Sequence, residues 1–293
     1  MLEQPLGSTA YSLLNTLGSV GALLFAVIAI LLEWLRRRKE YPPPQSLLRD
    51  YNIFRYLKKD MRRSRFNPVF FLACYVISYL VLMQGIRLAG VLFNVAVVAS
   101  KTRVFNSGVS YASGVVLFIP LFLLLARFSP GNGKPTEQLE LVMPALALSH
   151  IFNRLGCFFG GCCFGIPSHF GVIYPDTAPA SIANGPGTRI FPNQPVESAV
   201  MLLCFVLLLV LRAKGKRTLP IFPLVFGATG FLLGFVMNHS HEPLKPMFGF
   251  TYPTPFTHLL VFFIGVLFLV LVAREKKRKD SSAQDVQISE QTS

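Results

Sequence analysis

The chain has 293 residues, 52% of them hydrophobic and only 14% charged, with a net charge of +14 and a mean hydropathy of +0.51. A soluble domain carries about 25% charged residues, so a surface that faces water on all sides is excluded. Excess positive charge is also what nucleic-acid binding needs, but its placement here, in clusters between apolar runs, excludes that role.

Seven apolar runs approach or exceed the roughly 20 residues that cross a bilayer as helix. They cover 10–34, 68–90, 108–128, 139–159, 196–211, 219–237 and 256–273. The fifth is short and the fourth is interrupted by polar residues. None alternates polar with apolar, as membrane strands do. The expected fold is an all-α polytopic membrane protein of about seven transmembrane helices, with outside-facing arms and loop.

The first run lacks a basic segment before it and has one after it, so it reads as a retained helix and not as a secretory signal. Residues 35–66 form a basic loop broken by Pro42, Pro43 and Pro44. That loop either lies on anionic headgroups or carries topology charge alone. Residues 89–107 are moderately apolar and suit an outside-facing arm or re-entrant piece. Residues 165–195, rich in Gly, Pro and Asn, read as the main outer loop. Residues 280–293 are polar and without aromatics, which predicts a disordered cytoplasmic tail.

With the N-terminus outside, 22 of the 28 Lys and Arg residues fall inside. This is the positive-inside pattern. It predicts N-terminus out, C-terminus in, an odd number of spans, and one transmembrane domain over 1–279. No internal repeat is visible, which argues against a permease built from inverted halves.

The chemistry concentrates in His150–Gly165, HIFNRLGCFFGGCCFG. An arginine inside an apolar run costs about 3 kcal/mol on insertion scales, so Arg154 needs a partner or an anionic ligand. A structural ion pair with Glu137, Glu140 or Glu197 is one solution. A phosphate is the other, because a guanidinium grips phosphate in a fork geometry. His150 lies four residues before Arg154, on the same helix face, and Asn153 lies beside it. Gly156, Gly160, Gly161 and Gly165 predict close backbone approach and a helix end. The reading is a phospholipid headgroup site at the outer membrane level.

Cys157, Cys162 and Cys163 place three thiols in seven residues. A disulfide is awkward for the adjacent pair, and a zinc site wants closed tetrahedral ligation and more histidine. No metal or other cofactor is expected, and small packable side chains in a Gly-rich turn are the simpler reading. Cys74 and Cys204 belong to mid-helix core. His239, His241 and Glu242 form a polar outside cluster.

The stretch Asn153–Gly165 resembles the signature of the prolipoprotein diacylglyceryl transferase family, with Arg154 at the motif arginine and Gly165 at its late glycine. The resemblance extends along the chain. Arg189-Ile190-Phe191-Pro192-Asn193-Gln194-Pro195-Val196-Glu197 is similar to the family's segment at a helix start, and Tyr174-Pro175-Asp176 to its outer-loop Pro-Asp. Gly108–Gly114, which includes Ser110, sits where the family has a Gly-rich Ser-Phe-His segment. Tyr11 resembles an early family tyrosine. Four family positions differ: the motif Asn is Cys157, the His is Ala112, and a late Arg and Glu are Gly230 and Gly234.

The resemblance implies a seven-helix body in the bacterial inner membrane. It implies transfer of a diacylglyceryl group from phosphatidylglycerol, or a similar glycerophospholipid, to the lipobox cysteine next to a prolipoprotein's signal peptide. Arg154, His150, Glu197 and Tyr11 are then the catalytic candidates. Arg154, Gly156, Cys157, Gly165, Asn193, Gln194 and Ser110 are the substrate-binding ones. The alternatives are a divergent lipid-group transferase, a non-enzymatic lipid-binding homologue, and a permease.

Overall fold

A computed structural model describes residues 5–40, 67–98, 111–128, 133–236 and 254–292. The elements in chain order are α1 (Pro5–Glu40), α2 (Pro68–Val98), α3 (Tyr111–Arg127), α4 (Pro135–Phe159), β1 (Pro167–Ile173), α5 (Pro179–Asn184), β2 (Arg189–Ile190), α6 (Asn193–Ala213), α7 (Ile221–Val236) and α8 (Thr254–Thr292). Each of the seven apolar runs holds a helix among the described residues. Four of these helices, α1, α4, α6 and α8, are long and apolar enough to cross a membrane; α2, α3 and α7 carry shorter apolar stretches.

Local chemistry explains the boundaries. Asn67 caps α2 by accepting the Phe70 backbone N–H at 3.0 Å, and Pro68 fills the first helical position, where its missing N–H costs nothing. Pro120 and Pro144 lie inside α3 and α4, where each removes one backbone hydrogen bond.

Helix α4 is the centre of the bundle. Its residues from Gln138 to Ala147 are all buried, and α1, α3, α6 and α7 pack on it. Gly18 on α1 lets that helix approach Ser149 and Phe152 closely. Tyr75, Phe118 and Phe122 fill the layer between α2 and α3. The outward faces of α1, α6 and α8 are apolar and exposed, with Leu24, Leu32, Leu203 and Leu267 among them. Such faces suit lipid and not water.

At one end, Arg217 binds Glu140 at 2.7 Å and Glu275 at 2.6 Å. Lys134 reaches Glu275 at 3.1 Å, and the Leu219 N–H donates to Glu140 at 3.0 Å. This network ties the start of α4 to the α6–α7 turn and to α8.

Two expectations change. The segment 280–292, expected to be disordered, continues α8 as helix. No Gly or Pro follows Gly265, and Ala, Gln, Glu, Lys and Arg propagate helix well. Residues 165–195, read as a loop, are also folded. Strands β1 and β2 pair antiparallel, with Ile173 opposite Arg189, over a small core of Phe164, Tyr174, Ala180 and Ile190. Ser110, the 41–66 part of the basic loop, residues 99–107 of the expected arm, and His239, His241 and Glu242 lie outside the described residues.

Candidate active site

Three predicted residues converge where the end of α4 meets the start of α6. Glu197 sits between two partners. Its Oε2 lies 2.8 Å from Arg154 Nε, and its Oε1 lies 3.0 Å from His150 Nε2. All three are buried. Of the possible ion pairs for Arg154, the one with Glu197 forms, while Glu140 serves Arg217 at the far end.

The geometry fixes what each group can do. A carboxylate paired with a guanidinium only accepts hydrogen bonds, so His150 Nε2 carries the hydrogen and Nδ1 carries the lone pair. That Nδ1 is buried and has no hydrogen-bond partner among the described residues. The ring is held by Tyr111 and Phe226, each with its centroid 4.8 Å away. Arg154 meets Glu197 through an ion contact at Nε that lacks hydrogen-bond alignment, and no hydrogen bond among the described residues engages its two terminal nitrogens. One edge of the guanidinium is oriented and the other remains available to an anion.

The flanking turn is rigidly built. Gln194 Nε2 donates to the Cys162 carbonyl, and the Tyr174 hydroxyl donates to Gln194 Oε1 at 3.4 Å. Burial pushes the Tyr174 hydroxyl up to about 12, against the lowering effect of Gln194, so it stays protonated as that donor. Asn193 is fully buried beside Gly165, where a Cβ would collide with Phe191 O and Asn193 Oδ1. Gly156 and Gly160 let α1 lie against α4. The Tyr11 backbone and ring occupy the space that side chains there would need, and the Tyr11 ring is partly exposed. Cys157, Cys162 and Cys163 bring their three sulfurs within 4.8 Å of one another.

The sequence reading missed His258. This residue on α8 is fully buried, and its ring fills the space that a side chain at Gly230 on α7 would occupy. Its ring centroid lies 5.0 Å from Phe226, and it is close enough to Glu197 to interact electrostatically. The polar centre therefore spans four helices: His150 and Arg154 on α4, Glu197 on α6, His258 on α8, and glycines of α7 that make room. The signal was present as a lone histidine in an apolar run facing a helix with glycines at 227 and 230. Only the helix pairing shows that they meet.

A multi-pass helical bundle with a buried Arg–Glu–His cluster one turn from a glycine-rich helix end defines a membrane protein with a charged site near one end of its bundle. The family model for prolipoprotein diacylglyceryl transferase matches residues 24–271, and the chain belongs to that family. Among relatives, phosphatidylglycerol–prolipoprotein diacylglyceryl transferase 2 of Clostridium perfringens (strain 13 / Type A) is 28% identical over 152 residues, which is 50% of this chain and 55% of the relative. Phosphatidylglycerol–prolipoprotein diacylglyceryl transferase of Clostridium tetani (strain Massachusetts / E88) is 27% identical over 140 residues, 45% and 54% of the two chains. The chain spans about half the length of these curated relatives.

Proposed function

We propose that this chain transfers a diacylglyceryl group from phosphatidylglycerol to the lipobox cysteine of a prolipoprotein, at the outer face of the bacterial inner membrane. The body crosses the membrane seven times, with its N-terminus out and C-terminus in. The reaction needs a thiolate, because the neutral thiol is a poor nucleophile, and positive charge on the departing phosphate. Arg154 supplies the charge, oriented through Nε by Glu197. His150 Nδ1 is the proton acceptor for the thiol. Tyr11, Gly156, Cys157, Gly165, Asn193 and Gln194 line the headgroup and acceptor path.

The observation that carries this reading is the guanidinium of Arg154, buried on the family motif with its terminal edge unengaged. Purified protein should transfer diacylglyceryl from phosphatidylglycerol vesicles to a lipobox peptide. Arg154→Ala should cut the rate by about 100-fold or more, the cost of losing one preorganised charge. Equal rates in wild type and variant would sink it. Ala112, Gly230 and Gly234, in place of the family's His, Arg and Glu, favour a second reading, a lipid-binding homologue without transfer. Arg154-dependent lipid binding with no product would establish that one.

A further inference from the structure

The lipid site gives no reason for Cys157, Cys162 and Cys163 to stand together. Their three Sγ atoms lie within 4.8 Å of one another. Tetrahedral zinc with Zn–S bonds near 2.3 Å sets sulfurs about 3.8 Å apart, so small side-chain rotations would close the set. Their backbone supports are fixed. Cys157 lies in the last turn of α4, and the Cys162 carbonyl is held by Gln194. Cys163 sits at φ +55°, an uncommon left-handed conformation for a residue with a side chain. That conformation turns the adjacent Cys163 thiol into the same cluster as Cys162. A disulfide between any two would strand the third.

No fourth Cys, His, Asp or Glu joins the group among the described residues. Three protein ligands with one position left open is the arrangement of catalytic zinc, whereas structural zinc is closed by four. Cys157 is buried while Cys162 and Cys163 are half-buried, so the cluster has a closed side and an approachable side. His150, Arg154 and Cys157 follow one another at i, i+4 and i+7 on one face of α4, and Arg154 interacts electrostatically with all three thiols. That cation offsets the negative charge of a three-thiolate zinc site.

We infer that Cys157, Cys162 and Cys163 bind one zinc-class divalent ion whose open fourth position takes the acceptor thiol of the transfer reaction. This rests on the proposed function. It supplies a means of ionising the thiol in a chain that carries Ala112 where the family has a histidine, because a coordinated thiol is deprotonated outright. The acceptor's S–H bond breaks as its sulfur enters the fourth position, and the proton passes to water on the approachable side of the cluster. The metal-held thiolate attacks the glyceryl carbon of the phospholipid. The S–C bond forms, the C–O bond to phosphorus-bound oxygen breaks, and its electron pair leaves as glycerol phosphate against Arg154. No net oxidation occurs, so no oxidant or reductant is needed.

Cobalt(II) tests the site without relying on activity. The full chain in nanodiscs, kept reduced, should bind one Co2+ with sulfur-to-cobalt charge-transfer absorption and tetrahedral visible bands, and zinc should displace it. A lipobox peptide should shift those bands, and the same peptide with serine for its cysteine should not. Cys162→Ser should weaken binding by more than about 100-fold, beyond the loss expected for an outer partner. Absence of thiolate absorption in the wild type, or cobalt binding unchanged in Cys162→Ser, overturns the inference whatever the transfer assay shows. Transfer that persists after metal removal overturns it and leaves the proposed function standing. Peptide-dependent cobalt bands without any transfer support the site and sink the transferase reading.

Discussion

Glu197 is the residue on which the other polar groups depend. It is 1% exposed and holds both a guanidinium and an imidazole. Removing one partner of a buried pair leaves an uncompensated charge and costs about 3–5 kcal/mol. Glu197→Ala should therefore lower the midpoint of thermal unfolding in detergent sharply. Glu197→Gln should lower it less, since it still accepts from His150. Arg154→Leu with Glu197→Leu together should be milder than Glu197→Ala alone, because no charge is left unpaired. Equal shifts in all three variants would show that the site is loosely solvated. Arg154, His150 and Glu197 were legible from the sequence because a charge in an apolar run announces itself, and i, i+4 spacing places His150 on its face. Which carboxylate answers Arg154 was not legible. Glu137, Glu140 and Glu197 were equally acidic on paper, and the choice depends on α4 carrying Glu140 toward Arg217 and Arg154 toward α6.

Between helices, the informative contact is α7 against α8. Gly227 and Gly265 bring the two backbones together, and Gly230 leaves a hollow that His258 fills. Small residues let membrane helices approach in this way. Gly230→Ala forces its methyl into the imidazole, and overpacking of this kind costs about 1–3 kcal/mol. His258→Ala should empty the hollow, so the double variant Gly230→Ala with His258→Ala should be less destabilised than the sum of the singles. A double-mutant cycle with a coupling of about 1 kcal/mol or more reports the contact; additive effects would refute it. This pairing was invisible in the sequence because it joins two helices by shape, and the family's Arg and Glu positions drew attention to what Gly230 and Gly234 lack. The apolar runs themselves were readable, since composition and length suffice for helices in lipid, while the polar extensions of α1, α2 and α8 beyond those runs were not. The outer loop was harder. Its Gly and Pro residues spelled turns, while the pairing of β1 with β2 depends on Gly171 letting the Ile190 backbone close in, a non-local effect.

The whole molecule has two chemically different ends, and α4 measures the distance between them. Its 25 residues span about 37 Å at 1.5 Å per residue, enough to cross the hydrocarbon core. Glu140, with Arg217, Glu275 and Lys134, lies at its start; Arg154 lies about 8 Å from its finish. The basic residues Arg36, Arg37, Lys214, Lys216 and Arg217 lie at helix ends and turns of the first kind, and the folded segment with β1 and β2 at the second. If positive charge stays inside, the site must open outward, toward the face where prolipoprotein signal peptides emerge. Alkaline phosphatase joined in the Gly185–Thr188 turn should therefore be active, and the same enzyme joined at Gly215 inactive, while a fluorescent protein at Gly215 should mature. The reverse pattern would turn the site to the cytoplasm and remove its access to exported acceptors. Arg212, Lys214, Lys216 and Arg217 replaced together by Gln should weaken the bias and give mixed phosphatase activity at Gly215. This follows because short basic segments beside helix ends set orientation.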